Sequence, residues 1–273
     1  MCEPNFICIY DNSAAANLIY LSESVTDVLG WTPEEMISKG GYEYFHPDDH
    51  FTLKQVHLSN VMNERMSSMV SYRFKHKNGS YVTLETVVHH CHDILVTTNF
   101  IHDVTSATHK MRFSSVDEVL NCMPDGTLQG VGAWNLRQEH MKETLDVDYR
   151  WIGNEVVHSQ EPRFCLILNR YTEELTVVFA SQLISRVVTT AADVIVGHSL
   201  YEFIHERDRS VAQAHMALVK EYGMVVRLRF DWLQDDDLAQ AVEAIVSCTN
   251  DGIVMVLRQT PRLLLSKHLS QRI

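Results

Sequence analysis

Histidine and cysteine carry most of the reactive chemistry open to this 273-residue chain, which has 15 of the first and 6 of the second. The densest group is His89-His90-Cys91-His92. Residues two apart share one face of a strand, so His90 and His92 together could offer imidazole nitrogen to a metal ion. Polar side chains at a strand rim explain the same run. His57 and His215 fall in helical stretches, where an imidazole facing a pocket could act as an axial haem ligand. Each fits a structural or exposed role as well. His46 and His205 immediately precede helical segments, where the ordinary use of a ring nitrogen is to cap the helix. Cys2, Cys8, Cys91, Cys122, Cys165 and Cys248 form no CxxC pair, so neither a zinc finger nor a thioredoxin-like centre is spelled out. Reduced, mostly buried thiols in a reducing compartment are expected. Nucleophilic triads, phosphate-cradling glycine loops and metal-hydrolase motifs are missing from the sequence, so no catalytic residue is assigned and the chain reads as a non-enzyme.

The scaffold holding these side chains has an ordinary globular composition, 45% hydrophobic and 21% charged. Its length is about twice that of a common domain, which argues for two cores. A formal net charge of −12 opposes bulk attraction to phosphate backbones or anionic lipid, so the expected partners are proteins or small molecules, without direct nucleic-acid or membrane contact. No apolar run reaches the roughly 18 residues that a membrane span needs. The N-terminal stretch carries Glu3 and no basic segment, so nothing marks secretion.

An internal repeat organises the chain. YEYFH at Tyr42 to His46 is matched by YEFIH at Tyr201 to His205, and similar elements surround both copies, which implies duplicated domains. In copy one, Phe6–Tyr10 and Leu18–Leu21 read as short strands, and Ser24–Leu29 as a helical turn stopped by Gly30. Thr32, Pro33 and Glu35 spell an N-cap, first helical residue and capping box. HPDDH then opens a longer helix running to about Glu64, with Asp48 and Asp49 in its first turn. The equivalent helix of copy two presents Val211, His215, Leu218 and Tyr222 at helical spacing, the face expected to pack on a flat surface. That surface is a sheet. Val70, Tyr72 and Phe74 alternate with polar residues, and Val82, Leu84 and Thr86 alternate after Asn78-Gly79, read as a type I′ turn. Leu95–Val104 is the third strand. Copy two repeats the pattern with Val226, Leu228, Phe230 and Trp232, an acidic turn at Asp235–Asp237, strands near Ala241–Cys248 and Ile253–Leu257, and a turn at Asn250-Asp251-Gly252. Between the copies, residues 106–162 read as a partly structured linker with a short helix at Ser115–Leu120, Trp134 and Trp151 packing against a domain. Residues 262–273 form a tail.

This order of elements resembles the PAS domain. Gly30, Tyr42 to Asp49, Tyr72-Arg73-Phe74 and Asn78-Gly79 carry the resemblance in copy one; Gly197, Tyr201 to Asp208 and Leu228-Arg229-Phe230 carry it in copy two. Copy two departs at Glu206 and Arg207 and lacks the Asn-Gly turn. The resemblance implies an α+β protein of two PAS-like domains, residues 1–105 and 163–261, each a five-stranded antiparallel sheet with short helices and one longer helix on one face. The whole is similar to fungal PAS proteins of the white-collar-related type and, more distantly, to tandem PAS regions of transcription regulators. It implies signalling through dimerisation with itself or another PAS protein, in the nucleus or cytoplasm, without a DNA-binding module of its own.

The flavin-binding subclass would need a GxNCRFLQ-like segment before the long helix, and Asn121-Cys122 is only a fragment of it in the linker. No cofactor is expected, with flavin and haem left open. Tyr72, Phe74, Val82 and Leu84, with Leu228, Phe230, Trp232 and Val246, could line a ligand cavity or fill a core. Val87 and Ile245, in opposite phase to these, fit a sheet-to-sheet dimer interface.

Overall fold

The computed structural model describes residues 3–131, 151–152, 155–156, 160–234 and 239–260. The acidic turn at Asp235–Asp237, the tail beyond residue 260 and the packing of Trp134 and Trp151 lie outside the described residues.

Copy one opens with the antiparallel strands β1 (Asn5–Asp11) and β2 (Leu18–Leu21), followed by the short helices α1 (Val25–Leu29) and α2 (Pro33–Met36). At the start of α2 the Glu35 carboxylate accepts the Thr32 N–H at 3.0 Å, as the capping spacing requires. Gly30 ends α1 in the left-handed region, φ 74°, and its N–H bonds Thr26 O at 2.9 Å. A Cβ there would stand 3.0 Å from His76 Cε1. Gly30→Ala is therefore expected to cost about 1–2 kcal/mol, the penalty for a side chain in that region. The check is a lowered urea midpoint at unchanged slope.

Two 3-10 turns, Gly41–Glu43 and Pro47–Asp49, lead into α3 (His50–Met62), which lies on one face of β3 (Ser68–Lys75), β4 (Tyr81–Cys91) and β5 (Ile94–Ile101). His46 is a cap: its Nδ1 accepts the Asp48 N–H at 3.2 Å. Asp49 does more than face a helix dipole. Its fully buried carboxylate takes the N–H of Arg73 at 2.9 Å and the Arg73 guanidinium at 2.5 Å, tying the helix start to the sheet. The β3–β4 turn differs from expectation. Only Gly79 has positive φ (91°), and its N–H closes on His76 O at 2.9 Å while His76 N–H reaches Ser80 O at 2.8 Å. This is a three-residue loop with a glycine bulge, stabilised by Asn78 Oδ1 accepting Ser80 N–H at 2.9 Å.

The first sheet has the order β2-β1-β5-β4-β3, extended beyond the expected five strands by β6 (Glu118–Cys122), parallel to β3, and β7 (Leu128–Val131). The helix expected at 115–120 is instead α4 (Ala107–Ser115), started by Ser106 Oγ accepting His109 N–H at 3.0 Å. Val119 and Leu120 continue as strand because both are buried, Leu120 beside α3 and Val119 on the opposite face. A separate hairpin joins β8 (Trp151–Ile152) to β9 (Glu155–Val156).

Copy two follows the same plan. It consists of β10 (Arg163–Leu168), β11 (Val177–Ala180), α5 (Ile184–Val187), α6 (Ala192–Ile195), α7 (Glu206–Tyr222), β12 (Val226–Leu233), β13 (Ala239–Cys248) and β14 (Ile253–Gln259), in sheet order β11-β10-β14-β13-β12. The expected packing face of α7 is corrected. Ala212, Met216 and Val219 face the sheet, while Val211, Leu218 and Tyr222 are exposed. Both stripes are apolar at helical spacing; small Ala212 in the inner one lets the helix approach the sheet closely.

Each sheet buries its second face against the other domain. Ile7, Ile9, Val87, Val96 and Phe100 meet Cys165, Ile167, Ile245, Val254 and Val256 in a shared apolar layer.

Candidate functional site

Between α3 and the first sheet lies a cavity lined by Tyr10, Tyr42, Phe45, His57, Asn60, Tyr72, Thr86 and Thr97, among others. Its volume is about 60 Å³, where one water requires roughly 10–15 Å³. A few waters or a ligand of a handful of heavy atoms fit. Porphyrin or isoalloxazine rings do not fit in this conformation, since pockets for ligands of that size run to roughly 300–1,000 Å³.

The polar lining comes from residues that interrupt the apolar phase of the inner face. Thr86 Oγ1 donates to Asn99 Oδ1 at 2.8 Å and lies 3.2 Å from the Tyr72 hydroxyl; Thr97 Oγ1 donates to Cys8 O at 3.0 Å. Burial raises the pKa of Tyr10, Tyr42 and Tyr72 well above the ordinary phenol value, so all three stay neutral. Burial lowers His57 to about 4, leaving it neutral too. The lining therefore suits a small neutral polar ligand over an ion.

Of the residues expected to line a cavity, Tyr72 does so. Phe74 packs against Tyr44 and Phe45, Leu84 is core, and Val82 borders the core partly buried. In copy two, Leu228, Phe230, Trp232 and Val246 belong to one apolar cluster. Trp232 is fully buried, stacked on Phe203 at 5.5 Å and edge-on to Phe164 at 5.6 Å. His57, read as an imidazole that could face a pocket, lines this cavity from α3, whereas Tyr10, Tyr42 and Asn60 were not singled out for it, although Tyr42 opens the repeated motif. Thr86 and Thr97, hydroxyls on the core face of apolar strands, were the legible signal.

The histidine run does not assemble a metal site of its own. His90 Nε2 is 2.7 Å from Gln160 Oε1, and His92, in the left-handed region at φ 56°, has Nδ1 3.1 Å from Glu161 O. Both meet the entry to copy two. His215 is held by Val211 O at 2.8 Å on the outer side of α7. Asn121 Oδ1 accepts from Ser71 Oγ at 2.8 Å, and burial pushes the Cys122 thiol up to about 12, as it does those of Cys8 and Cys165. Such thiols are unreactive.

Residues 18–93, which hold helices α1 to α3, most of the cavity lining and the motif at Tyr42, match the family described as PAS fold. This stretch is a PAS domain. Over 68 residues, 25% of the chain, the sequence is 37% identical to basic helix-loop-helix ARNT-like protein 2 of Homo sapiens and 31% identical to basic helix-loop-helix ARNT-like protein 1 of Homo sapiens. The match spans 11% of either relative's length, so the chain corresponds to a small part of each. Among solved structures, the PAS-B domain of Drosophila melanogaster Cycle with bound ethylene glycol aligns at 26% identity, covering 36% of this chain and 99% of that one, with a TM-score of 0.32.

The PAS domain and its PAS-like repeat are joined through their sheets. Val87 and Ile245, read as interface positions, are 0% and 1% exposed in the layer between the two domains of one chain. Beside them, His89 Nε2 meets Ser247 Oγ at 2.8 Å across the boundary and Nδ1 meets Met66 O at 2.8 Å. Further pins are Ser24 Oγ to Asp251 Oδ1 at 2.6 Å and Arg227 Nη2 to Asp117 Oδ2 at 2.7 Å.

Each PAS sheet also carries one buried carboxylate on this face. Glu243 is held by Arg258 at 2.6 Å and Arg229 at 3.1 Å; Glu85 is held by Arg112 at 2.6 Å and by His109 and His102. Burial opposes ionisation of both. The hydrogen bonds outweigh it and hold both carboxyls below their ordinary range. Sequence reasoning missed the pair, although an acidic residue among the apolar residues of each central strand was its trace.

Proposed function

We propose that the chain is a PAS-mediated protein-interaction module of a transcription regulator, acting by docking and not by catalysis, with another PAS protein or a second copy as its partner. The supporting observation is an exposed apolar triad that recurs in the repeat. Ile19, Tyr20 and Ile37 in the PAS domain correspond to Val178, Phe179 and Val196 in the second domain, at the same offset as Tyr42 and Tyr201, and all six are exposed. The two segments of each triad adjoin: Ser38 N–H bonds Leu18 O at 2.8 Å, and Gly197 N–H bonds Val177 O at 2.8 Å. With Val87 and Ile245 engaged inside the chain, these edges and the Val211, Leu218 and Tyr222 stripe of α7 offer clustered apolar surface to a partner, beside exposed residues such as Phe51 and Tyr171. Similarity to the ARNT-like proteins favours that group over fungal white-collar-related regulators as the closer kin, and a nuclear setting goes with it. In this reading the functional units are residues 1–105 and 163–261, with residues 106–131 extending the first.

Light scattering at tens of micromolar, alone and mixed with the PAS region of an ARNT-like protein, tests the proposal. Association is expected, and Tyr20→Lys combined with Phe179→Lys should weaken it at least about tenfold, the loss of one good apolar anchor. A monomer that ignores the PAS region would overturn the reading.

A second reading rests on the cavity. A small neutral polar ligand beside Tyr10, Tyr72 and His57 would bias docking only by binding two states unequally. Native mass spectrometry of the protein from its own host would reveal such a ligand, and an unadorned mass would dismiss one that is tightly held.

A further inference from the structure

We propose that Glu85, His102 and His109 form a binding site for a zinc-class divalent cation that fastens helix α4 to the outer face of the PAS sheet. One carboxylate oxygen and two imidazole nitrogens lie within 4.8 Å of one another, contributed by β4, the residue following β5, and α4. Among the described residues this is the one group of three or more such side chains so placed. It is built, not incidental to a solvated surface: the Glu85 side chain is 0% exposed, His109 10% and His102 24%.

The two oxygens of Glu85 have separate tasks. Oε1 takes Arg112 Nε at 2.6 Å, while Oε2 faces both imidazoles, in contact with His109 Nδ1 and 3.4 Å from His102 Nδ1. Arg112 does not spend its charge on Glu85 alone. Its Nη1 and Nη2 bond Glu3 at 3.0 and 2.9 Å, and its guanidinium lies 3.7 Å from the centre of the Phe100 ring. The arginine thus orients the carboxylate and leaves Oε2 as a donor, the usual duty of a residue behind a metal ligand. His102 Nδ1 is sealed from solvent and makes no hydrogen bond of good geometry. A cation between the three atoms would give it a partner.

The donor set selects the ion. Two imidazoles and one carboxylate suit zinc, at bond lengths of about 2.0–2.2 Å with a fourth position for water, whereas calcium and magnesium prefer oxygen throughout. Tetrahedral bonds of that length place donor atoms roughly 3.3 Å apart; His102 Nδ1 already stands 3.4 Å from Glu85 Oε2, while the ion would replace the direct His109–Glu85 hydrogen bond, whose two atoms must part to admit it. The site also reaches the second domain. At its far end α4 bonds copy two, where Ser115 Oγ accepts the Val225 N–H at 2.9 Å. The ion would therefore stiffen the domain pairing.

The test uses the full chain, stripped with chelator and titrated with Co²⁺, whose intense visible absorption reports four-coordinate N/O sites, followed by Zn²⁺ competition. One equivalent should bind with that absorption and be displaced by one equivalent of Zn²⁺. His102→Ala and His109→Ala should each abolish the band and weaken binding by at least about 100-fold, while His198→Ala, a surface control 56% exposed, should change neither. Should His109→Ala unfold by circular dichroism, substitution of the partly exposed His102 still decides between the outcomes. Absence of the band in the parent chain, or an unchanged band and stoichiometry in His102→Ala, overturns the proposal.

Discussion

Val87→Asp is expected to part the two PAS-like sheets and to cost roughly 3–5 kcal/mol, the range for leaving a charge buried and unpaired. Val87 is fully buried, and the layer it joins is built of Ile7, Val96, Phe100, Ile245, Val254 and Val256. The hydroxyl opposite Val87 on β5, Thr98 Oγ1, already donates to Ser247 Oγ at 3.3 Å across the boundary. Glu85, two residues along the same face, repels the new carboxylate, and His89, two residues the other way, already spends its nitrogens on Met66 O and Ser247 Oγ. Urea unfolding followed by circular dichroism should change from one transition to two, and small-angle scattering should report a larger radius of gyration. Val104→Asp, at a site 58% exposed, is the control and should stay within about 0.5 kcal/mol of the parent. If Val87→Asp matched the control in both measurements, the sheets would not be paired in solution.

Mild acid should loosen the same boundary. Burial lowers His89 and His57 from 6.5 to about 4. Between those pH values the unfolded chain binds protons that the folded chain refuses, so each histidine leaves stability intact above pH 6.5 and subtracts from it as the pH falls toward 4. The loss approaches about 1.4 kcal/mol per pH unit for each residue, on the order of several kcal/mol for the two together by pH 4. Urea midpoints at pH 7 and pH 4.5 measure it. His89→Gln, which keeps a neutral side chain able to bond Met66 O or Ser247 Oγ, should recover about half the difference. An equal acid loss in parent and variant would mean that His89 is already protonated or exposed in the folded protein.

The charged pair at the start of each long helix shows what a motif alone can mislead about. Copy two seemed to depart from the HPDD pattern, with Glu206 and Arg207 in place of Pro and Asp. In the folded chain Arg207 pairs with Asp231, where copy one pairs Asp49 and Asp48 with Arg73. The signs are exchanged between helix and strand and the bridge is kept. Asp208 still accepts the Asp231 N–H at 2.9 Å. The departure is a compensated swap, readable only when both ends of the bridge are seen together.

Histidine and cysteine, the residues with the most chemistry to offer, were legible as types but not as sites. The run His89-His90-Cys91-His92 draws attention because its members are adjacent in sequence, yet strand geometry sends them to opposite faces and different partners. Glu85, His102 and His109 are separated along the chain and meet only because α4 folds back over β4 and β5.

What the sequence determined by itself was periodic and local: the repeat, the phase of each strand, the capping box at Thr32, the left-handed glycine at position 30 and the inward set around Tyr72 and Trp232. Those follow from backbone geometry over a few residues, which composition and spacing express directly. Tertiary structure decided which apolar stripe of α7 met the sheet, that residues 118–122 joined β3 as a strand, that a cavity remained under α3 while Trp232 was buried among aromatic rings in copy two, and that Val87 and Ile245 faced each other within one chain. Each of these depends on volumes and contacts between residues far apart in sequence, where two local solutions were equally apolar and only packing could choose.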